Sequence, residues 1–397
     1  MKCSDLILNN NNIRTCIDEI AREGWDSLVN KQEPLPNKFI SASNNYFLEQ
    51  FYWDSFFISL GLKEGSVKEH ELAKGIVENF FFMLDKKGYI PNSYHKYDTR
   101  SQTPYLTSMI GIVDKLFDNR EWLKEAYDYA VREYENVWVS NPHITSTGLS
   151  KYHDSKGGNG ADIDAENESG WDLTSRFLGR ASKINAIDLN SNLFKYEHDF
   201  LEIAMKLEKS GDGELWRRKM QKRKALINQY MWNEKEGLFF DYDFEQGKKV
   251  DVRSLAVYSA MWAGLASREQ AKRLVSNLEL FEYDFGLATC DRDYGFKDKQ
   301  WNYPNGWAPL QFLTIEGLKN YGYHDDADRL AYKWLKLCAD NKINNGSWDE
   351  KYSVVKNIPR TDDNRYTHQT QLSMTKGVFI ALFEDIQRKY QGISIAS

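Results

Sequence analysis

Apolar residues recur at helical spacing along most of the chain, and two kinds of segment alternate. Longer stretches near 66–84, 119–137, 186–209, 213–231, 266–278, 324–341 and 371–389 carry apolar residues on one stripe and charged residues on the other. Shorter stretches near 52–62, 104–116, 250–265 and 306–320 are apolar nearly all round. A helix without a wet face must be surrounded by protein, and one with a single apolar stripe covers it from outside. The alternation therefore predicts an all-α, double-layered ring, a toroid of about six inner and six outer helices. Strand signals are weak, and Leu238-Phe239-Phe240-Asp241-Tyr242-Asp243 is the best candidate for a small hairpin.

Between the helices run long segments rich in Tyr, Asn, Asp and Gly, at 86–103, 138–171, 280–305 and 342–369. Loops of that length in a folded domain usually carry function, and a ring gathers them at one mouth. No linker or break in composition divides the chain, because Lys156-Gly157-Gly158-Asn159-Gly160 is too short to be more than a loop. Residues 1–397 are expected to form one domain, with 1–15 a loose arm ahead of a helix beginning near Cys16.

Composition narrows the chemistry. The 397 residues include 12 Trp, 23 Tyr and 21 Phe, and the net charge is −6 with no basic run to follow phosphates, which argues against nucleic acid. Cys3, Cys16, Cys290 and Cys338 are scattered, without metal-ligand spacing or disulfide pairing. No run of about 18 apolar residues occurs, and Met1–Asn10 holds too short an apolar stretch for a signal segment, so a soluble cytoplasmic chain without membrane contact is expected. Nucleophile-elbow, zinc-protease, phosphate-loop and dinucleotide motifs are all missing, and the seven histidines, His368 among them, are isolated. No cofactor and no metal is expected.

Four segments set carboxyls or amides among aromatic rings. Gln300-Trp301-Asn302-Tyr303-Pro304-Asn305-Gly306-Trp307-Ala308-Pro309-Leu310-Gln311 must bend at Pro304 and Asn305-Gly306, which would hold Trp301 and Trp307 outward from a fixed scaffold. Indoles stack on the C–H faces of sugars and amides serve their hydroxyls, so this stretch reads first as a carbohydrate subsite. In Phe51-Tyr52-Trp53-Asp54-Ser55-Phe56-Phe57, Asp54 is either a helix N-cap or a clamp on two sugar hydroxyls beside Trp53. In Glu166-Asn167-Glu168-Ser169-Gly170-Trp171-Asp172, Asp172 is either an N-cap with Thr174 and Ser175 continuing as helix, or a carboxyl kept protonated by an apolar setting and so a general acid. In Trp348-Asp349-Glu350-Lys351-Tyr352, the two acids are either a solvated pair or hold a working carboxylate. Inverting cleavage of a glycosidic bond needs one acid and one base separated by room for water. Asp172 and Glu350 lie 178 residues apart, so only a closed fold can bring them together.

These segments together resemble the trehalase family of glycoside hydrolases, over residues of about 40 to 385. Tyr52-Trp53-Asp54-Ser55-Phe56-Phe57 looks like its first signature, and Gln300 through Gln311 like its second, with Asn302 where the family usually has Asp. Ser169-Gly170-Trp171-Asp172 resembles the general-acid motif and Glu350-Lys351-Tyr352 the general-base segment. Ile90-Pro91-Asn92 with Arg100-Ser101-Gln102 resembles a sugar-binding loop. The resemblance implies an (α/α)6 toroid and an inverting α-glucosidase with Asp172 as acid and Glu350 as base. It also implies substrate contacts from Tyr52, Trp53, Asp54, Asn92, Arg100, Gln102, Trp171, Trp301, Asn302, Asn305, Gly306 and Trp307.

The departures concern the leaving group. Tyr46, Phe47 and Leu48 stand where the family has an Arg, and its segment with an Arg and a Glu upstream of the general acid has no clear match in 150–168. Val354 through Gln369 contains no Gly and carries Arg360, Asp362, Asp363, Asn364 and Arg365 in place of a glycine-rich lid. The expected substrate is trehalose or another small α-glucoside. A glycosylglycerate, an oligosaccharide α-glucoside, or a silent sugar-binding protein are the alternatives.

Overall fold

Burial separates the two kinds of helix. The computed structural model describes residues 3–154, 158, 160–359 and 369–390, and the element bounds below refer to these. In chain order the helices are α1 (Cys3–Leu8), α2 (Asn11–Glu23), α3 (Tyr52–Leu62), α4 (Val67–Lys87), α5 (Leu106–Phe117), α6 (Arg120–Glu133) and α7 (Ala161–Glu168). They continue with α8 (Ile187–Lys206), α9 (Ser210–Tyr230), α10 (Ser259–Trp262), α11 (Arg268–Ser276), α12 (Ala308–Asn320), α13 (His324–Asn345) and α14 (Ser373–Tyr390).

Every residue of α3 is buried, and α12 and α14 are buried over most of their length. Among the described residues α3, α5, α8, α10, α12 and α14 each touch the next, and α14 returns to α3, so six inner helices close a ring. Two of these, α8 and α14, form from the stretches near 186–209 and 371–389, whose single stripe had predicted outer helices; both are instead buried over most of their length. The axis is plugged by rings: Phe56 stacks on Tyr105 at 4.6 Å, and Trp262 and Phe312 meet them edge-on or tilted. Outer helices show the opposite signature. Ser66 and Glu69 form a reciprocal cap at the start of α4, and Gly88, at φ 80°, ends it with the left-handed turn a Cβ would oppose. The all-α toroid read from the hydrophobic pattern is what the chain forms.

Two further expectations are corrected. Residues 3–15 are no loose arm: α1 and α2 pack on α13, and α1 also reaches α14. Ile7 is fully buried, and Asn12 Nδ2 donates to Asp340 Oδ1 at 2.8 Å. The N-terminal helices thus pack on the last outer helix, with α1 reaching the last inner one as well, which a run of asparagines concealed. Leu238 through Asp243 is not one hairpin. Leu238–Phe239 pairs with Trp232–Asn233, whereas Tyr242–Asp243 pairs with Ile184–Asn185 and Lys248–Lys249. The run breaks because the buried Asp241 carboxylate takes both Arg176 and the Ile187 amide.

Candidate active site

A pocket of about 150 Å³ opens where the N-terminal ends of inner helices and the loops preceding them converge. Trp53 and Asp54 enter it from the first turn of α3, and Met374 from that of α14. The segment before α5 supplies Asn92, Arg100 and Gln102, that before α12 supplies Gln300, Trp301 and Trp307, and Asp172 and Glu350 come from the loops before α8 and α14. Nine expected site residues therefore line one pocket, the two distant carboxyls included.

Each is placed by local chemistry. Leu173 adopts φ 60°, a turn that costs a bulky side chain energy, and Trp301 N donates to its carbonyl at 3.2 Å. Thr174 Oγ1 donates to Trp301 O at 2.9 Å, so the chain after Asp172 pairs with the tryptophan segment and does not continue as helix. Gly170, at φ 73°, lets the backbone pass Trp53, because a Cβ there would lie 3.0 Å from its ring. Asp54 is not an N-cap but the third residue of α3, whose N-cap is Phe51. Asp349 and Glu350 are buried and not a surface pair. Glu350 is carried in by pairing of Tyr352–Ser353 with Asn305–Gly306.

The electrostatics are those of a crowded acidic site. Burial pushes the Asp54 carboxyl up to about 7, and the neighbouring Glu350 and Asp172 carboxylates add to the rise. Glu166 is likewise raised by burial, with Lys299 opposing. Gln300 Nε2 donates to Asp172 Oδ2 at 3.1 Å, and Lys351 Nζ donates to Glu350 Oε2 at 2.9 Å. Asn92 Oδ1 is buried without a hydrogen-bond partner among the described residues, an acceptor suited to a hydroxyl.

Five expected contacts lie elsewhere. Tyr52 turns into the ring, its hydroxyl donating to Glu133 Oε1 at 2.6 Å beside Tyr196. Trp171 lies beneath the pocket, between Trp301 at 5.3 Å and the Arg176 guanidinium at 4.6 Å. Asn302 accepts from Ser175 Oγ, and Asn305 Nδ2 donates to Gln300 O, both facing a neighbouring hollow. Gly306 is a close approach of backbone, since a Cβ there would sit 2.5 Å from Val354 Cγ1. Nor do Trp301 and Trp307 project outward: both are buried and stack on each other while lining the pocket.

The pocket also draws on residues the sequence reading did not assign to it: Ala42, Phe51, Tyr97, Asn167, Leu372 and Met374, with Tyr46 and Phe47 from the stretch that replaces an arginine. Asn167 sits in α7, a helix inside the expected 138–171 loop. Arg360, Asp362, Asp363, Asn364, Arg365 and His368 lie outside the described residues, as do Lys156, Gly157 and Asn159.

The family model Trehalase matches residues 27–159 and 146–387. The chain belongs to the trehalase family. Cytosolic neutral trehalase of Saccharomyces cerevisiae is 32% identical over 380 residues, 78% of this chain and 50% of that protein. The corresponding protein of Beauveria bassiana is 34% identical over 402 residues, 81% and 54% of the two chains. This trehalase-family chain thus spans about half the length of the curated relatives it matches. Among solved structures, neutral trehalase Nth1 from Saccharomyces cerevisiae superposes with a TM-score of 0.78 at 28% identity, over 92% of this chain and 78% of that one. A GH63 mannosylglycerate hydrolase from Thermus thermophilus shares the fold, with a TM-score of 0.70 at 16% identity, over 94% and 100%. Among the described residues no helix is long and apolar enough to cross a membrane.

Proposed function

We propose that this chain is an inverting α-glycoside hydrolase acting on trehalose, with residues 1–397 as one catalytic domain working in the cytosol. The observation that carries the reading is the meeting of Asp172 and Glu350, 178 residues apart, in one pocket walled by Trp53, Trp301 and Trp307. One glucose unit lies among Trp53, Asp54, Asn92, Arg100 and Gln102. Asp172 gives its proton to the glycosidic oxygen while Glu350 takes a proton from a water attacking the anomeric carbon from the opposite face. The C–O bond to the leaving sugar breaks as the new one forms, so the hydroxyl appears on the inverted side and the second sugar departs neutral. No metal or cofactor has a part in these steps.

The names of the relatives, neutral trehalases placed in the cytosol, favour trehalose over a glycosylglycerate or longer oligosaccharide. Asp172→Asn and Glu350→Gln are each expected to lower glucose release from trehalose by about 10³-fold or more in a folded protein. Proton NMR of the first turnover should show β-glucose from the attacked unit. Undiminished hydrolysis by either variant, or turnover of another α-glucoside in preference, overturns the assignment.

A further inference from the structure

One buried carboxylate joins the loop expected to grip glucose to the loop that carries Asp172. Glu168 is the last residue of α7, and its side chain is sealed from solvent. Its Oε1 accepts from Ser101 N at 3.1 Å, and its Oε2 accepts from His153 N at 2.6 Å. The buried imidazole of His143 is the third donor, with Nε2 3.0 Å from Oε2 and 3.3 Å from Oε1. A backbone N–H can only donate, so both carboxylate oxygens are needed as acceptors, and an amide in their place could serve only one of the two main-chain groups.

Those two amides belong to residues whose neighbours meet at the pocket. Ser101 stands between Arg100 and Gln102, which both line it, and His153 precedes Asp154, whose Oδ2 lies 3.6 Å from Arg100 Nη1. Gln102 Oε1 accepts from Trp53 N at 3.0 Å, and Asn92 N donates to the Arg100 carbonyl at 2.8 Å. A second tie runs beside the first, because Thr103 Oγ1 donates to Ser169 O at 2.8 Å. Ser169 Oγ then accepts from Trp171 N at 3.0 Å, next to Asp172. The sugar loop is thus fastened at Ser101 and Thr103 to Glu168 and Ser169, the residues that lead into the acid.

We infer that Glu168 is a positioning residue that sets the loop carrying Arg100 and Gln102 at the right distance from Asp172. A glucose unit held by that loop then offers its glycosidic oxygen to the acid. Without the tie the sugar still binds, but its oxygen is presented out of line, and a misplacement of about 1 Å costs about 100-fold in rate. The inference rests on the hydrolase reading above and extends it to a residue that does not itself line the pocket.

The test compares trehalose with α-glucosyl fluoride, whose fluoride ion departs without receiving a proton, so that alignment with the acid matters for the first substrate and little for the second. Glu168→Gln keeps the shape and one acceptor, and is expected to lower kcat about 100-fold on trehalose but less than about tenfold on the fluoride. Thr103→Val, which removes the second tie, should lower kcat about tenfold on trehalose and leave it within about threefold on the fluoride. Ile7→Ala, a loss of packing outside the pocket, should change the two substrates alike. Equal losses on both substrates in Glu168→Gln, wild-type kcat on trehalose in that variant, or the same disparity in Ile7→Ala overturns the inference. Should Glu168→Gln fail to fold by circular dichroism, equal losses in a folded Thr103→Val overturn it in the same way. A wild type inert on trehalose and on the fluoride sinks the hydrolase reading and this inference with it, whereas an active wild type whose variants show no disparity sinks the inference alone.

Discussion

The indole of Trp307 lies flat on that of Trp301, with centroids 3.8 Å apart and planes within 8°. Trp53 and Trp171 close in on Trp301 from two other sides, at 5.4 and 5.3 Å. Four indoles thus form one block, with Trp53, Trp301 and Trp307 reaching the pocket. The pair has a polar duty too, since Trp307 Nε1 donates to the Gln300 carbonyl at 3.1 Å.

Trp307→Ala should therefore cost stability and activity together. Removing a buried indole costs about 3–5 kcal/mol, and the loss should appear as a lower urea midpoint. Trp307→Phe keeps a ring against Trp301 but loses the donor, so it should cost about 1 kcal/mol for the bond and still reduce kcat. Equal kcat in Trp307→Phe and wild type would mean that the Gln300 backbone needs no such anchor.

The ring of helices was legible because burial on all sides and burial on one side write different patterns, as in α3 and α12 against α4 and α13, but α8 and α14 carry polar residues that are buried inside the ring and so read as outer helices. The carboxyls were legible because acids amid aromatic rings are costly unless used or capped. Tyr52 misled for a physical reason. An aromatic ring beside Trp53 looks the same in sequence whether it faces ligand or core, and the partner that decides, Glu133, is 81 residues away. Leu372 and Met374 were invisible for the same reason, since only ring closure carries α14 to α3 and its residues to the pocket. Nothing in the chemistry of Asn302 or Asn305 told that the first is taken up by the Ser175 hydroxyl and the second by the Gln300 carbonyl.

Asp54 should make the protein trade stability for its site. Its pKa is raised from 3.8 to about 7 by burial and then by Glu350 and Asp172, so the folded state binds a proton that the unfolded chain has released between those values. The contribution is fully favourable below about pH 4 and is lost as pH rises through about 7, a penalty on the order of 4 kcal/mol once complete. Asp54→Asn removes that penalty. Its Tm should exceed wild type by a few degrees at pH 8 and match it near pH 4, while kcat/KM falls. A variant no more stable than wild type at pH 8 would show that Asp54 is ionised without cost.

Ile7 tests whether the N-terminal helices belong to the ring. It is fully buried in α1, which packs on α13 and α14. Ile7→Ala should cost about 2–4 kcal/mol in urea unfolding, the usual loss for a core isoleucine. A change under about 0.5 kcal/mol is what a loose arm would give.

Gly377 tests the ring closure itself. On α14 it faces α3 so closely that a Cβ would stand 2.3 Å from the Phe57 carbonyl, and a Cβ on Gly61 would stand 2.8 Å from the Gly377 Cα. Both obstacles are backbone, which cannot rotate aside, so Gly377→Ala must push the helices apart. The expected cost is about 3 kcal/mol or more, at the upper end for overpacking. The displacement also reaches the pocket, because the first turn of α3 carries Trp53 and Asp54 and that of α14 carries Met374. A drop in kcat/KM at temperatures where the variant stays folded should therefore accompany the loss. Gly346→Ala is the proper comparison: Gly346, at φ 72°, ends α13 with open space around its missing Cβ. Strain alone there should cost about 1 kcal/mol and leave turnover unchanged. Equal effects from the two substitutions would mean that the contact of α3 with α14 yields easily, and that the pocket does not depend on how tightly the ring is drawn shut.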